Sequence, residues 1–187
     1  MSQPLGVRHL LLILALPVAV AIGSPVLAAT IAQPWHVVGE SMEPVIEDGS
    51  MLLVDSLGPQ VTGYARGDIV LLSVPAGAER GYPILVKRIL GLPGDRITVE
   101  DGRVALNGVS LHEPYLATAD VRLARDEPGV EVVVPAGEVW VMGDHRSNSF
   151  DSTSFGPVPI GQLVGRVWCS VEPDGGLALA PASAATP

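Results

Sequence analysis

The chain has 187 residues but only one cysteine, Cys169, and only one lysine, Lys87. A single cysteine excludes a disulfide framework within the chain and any metal cage built from several cysteines. None of the four histidines stands in an HExxH or similar metal-ligand spacing, so we expect neither a metal nor another cofactor. The first acidic residue is Glu40, and the net charge is -9 at pH 7. This acidic balance argues against nucleic acid as a partner, because a phosphate backbone requires a basic patch.

Charged residues are also absent from residues 10–32, a mainly apolar stretch. At roughly 1.5 Å per residue, a helix of this length crosses a bilayer core of about 30 Å. Arg8 on its N-terminal side predicts a cytoplasmic stub at 1–9 and a single-pass cell-membrane protein whose domain at 33–170 lies outside the cytoplasm. The alternative is a cleavable signal peptide, since small residues in SPVLAA follow the apolar stretch. Both interpretations place most of the chain outside the cytoplasm.

After this stretch, short apolar runs separated by glycine and proline are typical of β-strands. Asp101-Gly102 supplies the positive φ angles of a tight hairpin turn in VEDGRVAL. We therefore predict a mainly β fold: an antiparallel β core with a smaller β subdomain inserted at about 98–136, preceded by one transmembrane helix. The tail at 171–187 is rich in proline, alanine and glycine and is predicted to be disordered. The predicted strands lie in SMLLVDSL, GDIVLLSVP, YPILVKRIL, DRITVEDGRVALNG, VEVVVPAGEVWVMGD and GQLVGRVWCSV.

Lys87 stands out because all the other basic residues, histidines aside, are arginines, which stay protonated at any useful pH. In the predicted strand PILVKRIL, period-two alternation places Lys87 on one face with Leu85 and Ile89. Desolvation on such a face lowers the pKa of a lysine and allows it to act as a general base near neutral pH. The alternative is an ordinary lysine that extends from a strand edge into solvent.

Ser41 lies in the segment GESMEP, a sequence that no strand requires. A serine hydroxyl becomes a nucleophile only beside a base, and Lys87 is one candidate for that base. His145, in the segment GDHRSNS, is the rival candidate, as the base of a Ser-His-Asp arrangement. A plain turn before a strand is a third interpretation of this segment.

Four segments follow one another behind the apolar stretch: GESMEPVIEDG, RGDIV, VKRILGLPGD and GDHRSNSFDSTSFGPV. Over roughly residues 10 to 170 they resemble the characteristic sequence boxes of bacterial type I signal peptidases. These are membrane-bound Ser-Lys proteases that remove signal peptides from exported proteins. The resemblance implies a serine endopeptidase whose partners are the signal peptides of exported preproteins and membrane lipid.

The resemblance also implies roles for individual residues. It makes Ser41 the nucleophile and Lys87 the general base, and it places Met42 beside small pockets that accept alanine-like side chains of the substrate. Ser149 matches a serine that hydrogen-bonds the catalytic amine. Trp35 and Met42 are expected to belong to an apolar surface that dips into lipid.

Three further residues match polar groups that brace the site in the family: Asp144, Arg146 and Asp151. The sequence departs from the family pattern at nearby positions. Gly39 stands where some members have a serine in the oxyanion hole, and Thr153 stands where an arginine often pairs with the acid matched by Asp151. His145 replaces a usual asparagine and Ser147 a usual acid, changes that we interpret as tolerated.

Three other functions share part of this pattern. A self-cleaving repressor of the SOS type has a similar serine and lysine, but it should carry a DNA-binding helical domain where this chain has its apolar stretch. A specialised relative that processes pilin or conjugation proteins, and an inactive membrane-anchored β-domain, are the other two. A lysine base predicts that cleavage increases with pH, with an inflection between roughly 8 and 9.5.

Overall fold

The computed structural model describes residues 32–75, 77, 81, 83–116 and 129–179. The predicted stub at 1–9 and the predicted span at 10–32 lie outside the described residues, apart from Ala32 at the start of the first strand. None of the helices in the described part of the chain is long and apolar enough to cross a membrane.

The described residues form the mainly β fold that the sequence predicted, with two short helices. The helices are α1 (Gly58–Thr62) and α2 (Ser152–Phe155), and a 3-10 turn covers Ile160–Gln162. The strands are β1 (Ala32–His36), β2 (Met51–Asp55), β3 (Ile69–Ser73), β4 (Ile84–Gly91), β5 (Arg96–Glu100), β6 (Arg103–Leu106), β7 (Val109–Ser110), β8 (Val130–Val133), β9 (Glu138–Met142), β10 (Val158–Pro159), β11 (Leu163–Val171) and β12 (Leu177–Leu179).

The larger sheet is antiparallel, and its strand order positions the candidate site. The order is β1-β2-β11-β3-β4-β9-β10, and β12 pairs with β11. β3 pairs with β4 from Ile69 opposite Arg88 to Ser73 opposite Ile84. On its other side, β4 is paired by β9 only from Arg88 to Gly91. Among the described residues, that second edge of β4 is therefore open over 84–87.

A smaller sheet, with the order β7-β6-β5-β8, is formed by strands at 96–110 and 130–133, inside the segment at about 98–136 that the sequence predicts as an insertion. Asp101 with φ 50° and Gly102 with φ 69° make the turn between β5 and β6, as the Asp-Gly pair predicted. The apolar face of this sheet packs against Leu90, Trp140 and Met142 of the larger sheet in one buried cluster. The smaller sheet is thus anchored to β4 and β9.

Two further buried clusters lie on opposite faces of β3. Leu71 belongs to the cluster that also contains Val37, Met42 and Leu52, whereas its neighbour Leu72 belongs to the cluster of β3, β4, β9 and β10. A strand buried on both faces is continuously apolar rather than alternating, which explains the run IVLL. Full burial of one such side chain contributes about 1.5–3 kcal/mol relative to exposure.

The C-terminal tail is ordered further than the sequence predicted. β12 pairs with β11 from Leu177 opposite Val171 to Leu179 opposite Cys169, so the predicted disorder is wrong as far as Leu179. Residues 180–187 lie outside the described part of the chain. The composition of the tail did not indicate the hydrogen bonds that hold it. The Glu172 carboxylate accepts hydrogen bonds from the hydroxyls of Ser50 at 2.6 Å and Ser170 at 2.5 Å.

Candidate active site

Ser41 lies in a loop between β1 and β2 that is closed by hydrogen bonds. The Val37 N–H donates to the Ser50 carbonyl at 2.9 Å and joins the two ends of the loop. Gly39 has φ +105°, a conformation that residues with a Cβ rarely adopt, which gives a backbone reason for glycine at this position. Its N–H donates to Asp48 Oδ1 at 2.7 Å, so this donor is already engaged within the loop.

Lys87 brings its amine directly to Ser41. Its Nζ lies 2.7 Å from Ser41 Oγ and donates to the Val86 carbonyl at 2.7 Å. Lys87 is only 1% exposed, so it is not the solvent-exposed strand-edge lysine of the alternative interpretation. An amine at hydrogen-bond distance from a serine hydroxyl has the geometry that a general base requires.

Burial lowers the pKa of Lys87 from its ordinary value of 10.5 to about 8. The carboxylates of Asp151 and Asp144 act in the opposite direction, because a nearby negative charge favours the protonated amine. Desolvation is the larger effect. A substantial fraction of Lys87 is therefore neutral just above neutral pH, and a neutral amine can accept a proton.

Gly143 allows the loop at 143–153 to approach the turn that carries Ser41. A Cβ at this position would collide with the Ser41 carbonyl and with Ser149 Oγ, so a larger residue would push the two segments apart. The backbone N–H of His145 donates to the same Ser41 carbonyl at 3.1 Å. The 143–153 loop therefore fixes the backbone of Ser41.

Asp151 joins the two ends of the 143–153 loop. Its Oδ2 accepts a hydrogen bond from the Gly143 N–H at 3.0 Å. Its Oδ1 accepts from the Thr153 N–H at 3.0 Å and from the Thr153 hydroxyl at 2.8 Å, and Asp151 is also the N-cap of α2. Two neutral hydrogen bonds from Thr153 thus take the place of the arginine ion pair that the family pattern often has.

Two buried arginines connect the 143–153 loop to its surroundings. Arg88 on β4 forms a bidentate ion pair with Asp144, at 2.9 and 2.6 Å, in which both side chains are at most 1% exposed. Arg146 pairs with Glu113 of the inserted subdomain and donates to the Gly102 carbonyl at 2.8 Å. These contacts tie the loop to β4 on one side and to the insertion on the other.

Glu113 and Tyr115 belong to this network, although no sequence motif pointed to them. The Tyr115 hydroxyl donates to Glu113 Oε1 at 2.6 Å, and the Arg88 guanidinium lies 4.1 Å from the centre of the Tyr115 ring. Burial, with the charge of Glu113, raises the pKa of Tyr115 above its ordinary value, so the hydroxyl remains a donor. No spacing rule identifies these residues, because the arginines that they contact, Arg88 and Arg146, lie in distant parts of the sequence.

Ser149 does not make the hydrogen bond that the family resemblance implied. Its Oγ is buried and has no hydrogen-bond partner among the described residues, although it packs against the backbone at Gly143. The amine of Lys87 is held by Ser41 and by the Val86 carbonyl instead. The expected contact between Ser149 and the amine is therefore corrected for this structure.

His145 contacts the backbone at Glu40 and Ser41. Its ring Nδ1 is 3.1 Å from the Glu40 carbonyl, and its backbone N–H donates to the Ser41 carbonyl. The Ser41 hydroxyl is paired with Lys87. The geometry thus favours Lys87 over His145 as the base.

A groove of about 610 Å³ passes over Ser41 and Lys87. Residues 35–42 form one wall, and residues 83–87, which include the open edge of β4, form the other. Met42 lines this groove as the resemblance implied, but it is only 1% exposed, so the expectation that it dips into lipid is wrong. Val38, which is 76% exposed, is the apolar residue of this wall that projects into solvent.

Comparisons with known proteins agree with the sequence motifs. The family model described as signal peptidase, peptidase S26, matches residues 7–171. A signal peptidase I of Bacillus caldolyticus is 39% identical over 142 residues, which cover 71% of this chain and 75% of that protein. Signal peptidase I V of Bacillus subtilis is 35% identical over 142 residues, which cover 70% of this chain and 80% of that protein. A crystal structure of a signal peptidase I from Enterococcus faecalis covers 55% of this chain and 95% of its own, at 32% identity and a TM-score of 0.47. On the sequence matches, the chain belongs to the signal peptidase family, peptidase S26, and is a serine endopeptidase.

Proposed function

We propose that the chain removes N-terminal signal peptides from exported preproteins, with Ser41 as the nucleophile and Lys87 as the general base. The observation that carries this proposal is the 2.7 Å contact between Lys87 Nζ and Ser41 Oγ at the floor of the groove. Family membership supplies the class of substrate. The Ser41–Lys87 pair needs no cofactor, because the serine provides the nucleophile and the amine provides the base and the acid.

In the first half of the reaction, neutral Lys87 accepts the Oγ proton while Ser41 Oγ attacks the scissile carbonyl carbon. The ammonium of Lys87 then gives that proton to the departing nitrogen as the peptide bond breaks, which leaves the signal peptide as an ester on Ser41. Water attacks this ester while Lys87 accepts one proton of the water; Lys87 then gives that proton to Ser41 Oγ as the ester bond breaks, and the signal peptide leaves with a new C-terminal carboxyl group. The Ser41 N–H is the proposed donor to the oxyanion, because the N–H of Gly39 is engaged by Asp48.

The substrate is proposed to bind as an added strand along the open edge of β4. β9 leaves residues 84–87 unpaired on this side, and the open edge ends at Lys87 itself. An extended peptide that pairs with such an edge is held by main-chain hydrogen bonds, which accept any sequence. The scissile bond is thereby aligned with Ser41 whatever the identity of the preprotein.

Strand geometry then accounts for selection at two alternate positions of the substrate. Successive side chains of a strand point to opposite faces, so the first and third residues before the cut point in the same direction. The groove is lined by the buried residues Met42, Leu52 and Leu71, and we propose that these two substrate side chains point toward them. Because these apolar side chains fill the floor of the groove, only small, alanine-like side chains fit at both positions. The side chain of the second residue points away from the floor.

The pH dependence of cleavage is expected to report the ionisation of Lys87. Since Ser41 attacks only when Lys87 is neutral, kcat/KM should increase with pH and show an inflection near the Lys87 pKa of about 8. Well below the inflection, each pH unit should lower kcat/KM about tenfold, because the neutral fraction falls by that factor. The measurement is a pH–rate profile of the full-length chain in lipid or detergent, with a preprotein that has alanine at the first and third positions before the cut.

Two results of this profile would contradict the proposal. An inflection near about 6.5, the reference value of a histidine imidazole, with no further increase above about pH 8, would assign the base to a histidine. Absence of cleavage at every pH would overturn the proposed activity itself.

We also propose that residues 10–32 anchor the chain in the cell membrane with the groove on the outer side. The charge-free stretch behind Arg8 and the exposed Val38 at the groove support this arrangement. A protease added to spheroplasts should digest the domain at 33–170, while a tag at Met1 stays intact. Digestion of the tag together with protection of the domain would reverse the proposed topology.

A further inference from the structure

We propose that the chain binds a divalent transition-metal ion such as Zn²⁺ between the Ser41 turn and the 143–153 loop, with Glu40, Glu43 and His145 as protein ligands. One potential ligand atom from each of these side chains lies within 4.8 Å of the other two. Glu40 directly precedes Ser41, and Glu43 follows it by two residues. The ion would therefore join two segments that meet at the nucleophile.

The donor set suits such an ion. Imidazole and carboxylate are ligands that zinc accepts, and three protein ligands leave a fourth position for water. Tetrahedral zinc with bonds of about 2.0–2.1 Å places its ligands about 3.3 Å apart. Glu40 is exposed, whereas Glu43 and His145 are half-buried, so rotation of the side chains can close the remaining distance. The two carboxylates also balance the charge of the ion.

Contacts outside the three ligands orient them. His145 Nδ1 lies 3.1 Å from the Glu40 backbone carbonyl; when Nδ1 carries the proton, it donates to this oxygen and Nε2 is the basic nitrogen. Metal-binding histidines typically have such a hydrogen bond from the other ring nitrogen to a carbonyl. Asn148 Nδ2 donates to Glu40 Oε2 at 3.4 Å and restrains that carboxylate.

The site is a property of this chain rather than of the Ser-Lys chemistry. His145 stands where the family pattern usually has asparagine, and the reaction proposed above uses no metal. Glu40 lines the groove, so an ion and its water at Glu40 would narrow the entry for the substrate. We infer that occupancy inhibits cleavage; this consequence rests on the proposed function, whereas binding of the ion does not.

Binding is tested by zinc itself, on an untagged full-length chain that has been stripped with a chelator. After equilibrium dialysis against Zn²⁺, elemental analysis should give one tightly bound zinc per chain. His145→Asn and Glu43→Gln should each weaken zinc binding at least about tenfold. The matched controls are His112→Asn and Glu47→Gln, which change exposed residues of the same types outside the three ligands and should bind zinc like the parent chain. Equal binding by the parent chain and by His145→Asn, or no stoichiometric binding at all, would overturn the site.

Inhibition is tested separately. Zinc should inhibit preprotein cleavage by the parent chain at concentrations at least about tenfold below those that inhibit His145→Asn, in line with the loss of one ligand. Equal sensitivity of the two proteins would refute the inhibitory role. Absence of cleavage in every sample would contradict the proposed function, while the zinc content would still decide whether the site exists.

Discussion

Replacement of Ser41 with alanine is expected to lower kcat/KM for preprotein cleavage by a factor of about 10⁴ or more, as removal of a nucleophile does in other serine proteases. Lys87→Arg should be about as damaging, because a guanidinium stays protonated and cannot accept the Oγ proton. Arginine keeps the positive charge of the protonated lysine, so the variant separates the need for a base from the need for a cation. Initial rates of the full-length proteins in lipid, with one preprotein substrate, measure both effects.

His145→Ala is the control for this pair. The contact between the 143–153 loop and the Ser41 carbonyl uses the backbone N–H of His145 and survives the substitution, so substantial activity should remain. Turnover like that of the parent chain by Lys87→Arg would exclude the Ser-Lys mechanism. A loss in His145→Ala as large as that in Ser41→Ala would instead favour histidine as the base.

Asp144→Ala is expected to be among the most destabilising single substitutions in the chain. It leaves the Arg88 guanidinium, which is 0% exposed, without its bidentate partner. Removal of one member of a buried ion pair costs about 3–5 kcal/mol, because the remaining charge stays desolvated. Urea unfolding of the full-length chain in mild detergent, followed by near-ultraviolet circular dichroism, measures the change in the free energy of unfolding.

The exposed pair of Arg96 and Glu131 provides a matched control. Its atoms approach to 2.9 Å, but the side chains are 56% and 62% exposed, so Glu131→Ala should cost at most about 1 kcal/mol. Replacement of both buried partners by apolar residues, Arg88→Met with Asp144→Leu, should recover part of the stability that Asp144→Ala loses. A cost of Asp144→Ala no greater than that of Glu131→Ala would contradict the structural importance of the buried pair.

Local sequence signals predicted the strands, and the family resemblance assigned the two residues at the centre of the site. Apolar runs predicted β3, β4 and β11, and Asp101-Gly102 predicted its hairpin, because these features depend on neighbours in the chain. The segment around Ser41 and the lone lysine at position 87 predicted a pair that the fold brings to 2.7 Å. Their proximity was predictable because the four motifs, in this order, resemble those of a family that uses a Ser-Lys pair.

Features that depend on distant parts of the chain were not predictable in the same way. Arg146 forms an ion pair with Glu113 of the smaller sheet's segment. Nothing in the sequence around Arg146 or around Glu113 indicates that the two residues pair. The tail appeared disordered by composition, yet Glu172 anchors it through the hydroxyl of Ser50, far away in sequence. Met42 was assigned to a lipid-facing surface from its apolar character, but the turn points it into the core.

In the proposed binding mode, the short open edge of β4 affects how quickly the cleaved product is released. Residues 84–87 offer only a few main-chain hydrogen bonds, so the cleaved product can separate without opening a long ladder. A longer free edge would hold both substrate and product more tightly and would slow each turnover. A short edge is also a poor template for pairing between copies of the chain. In that binding mode, the length of one unpaired strand segment sets the balance between capture of the substrate and release of the product.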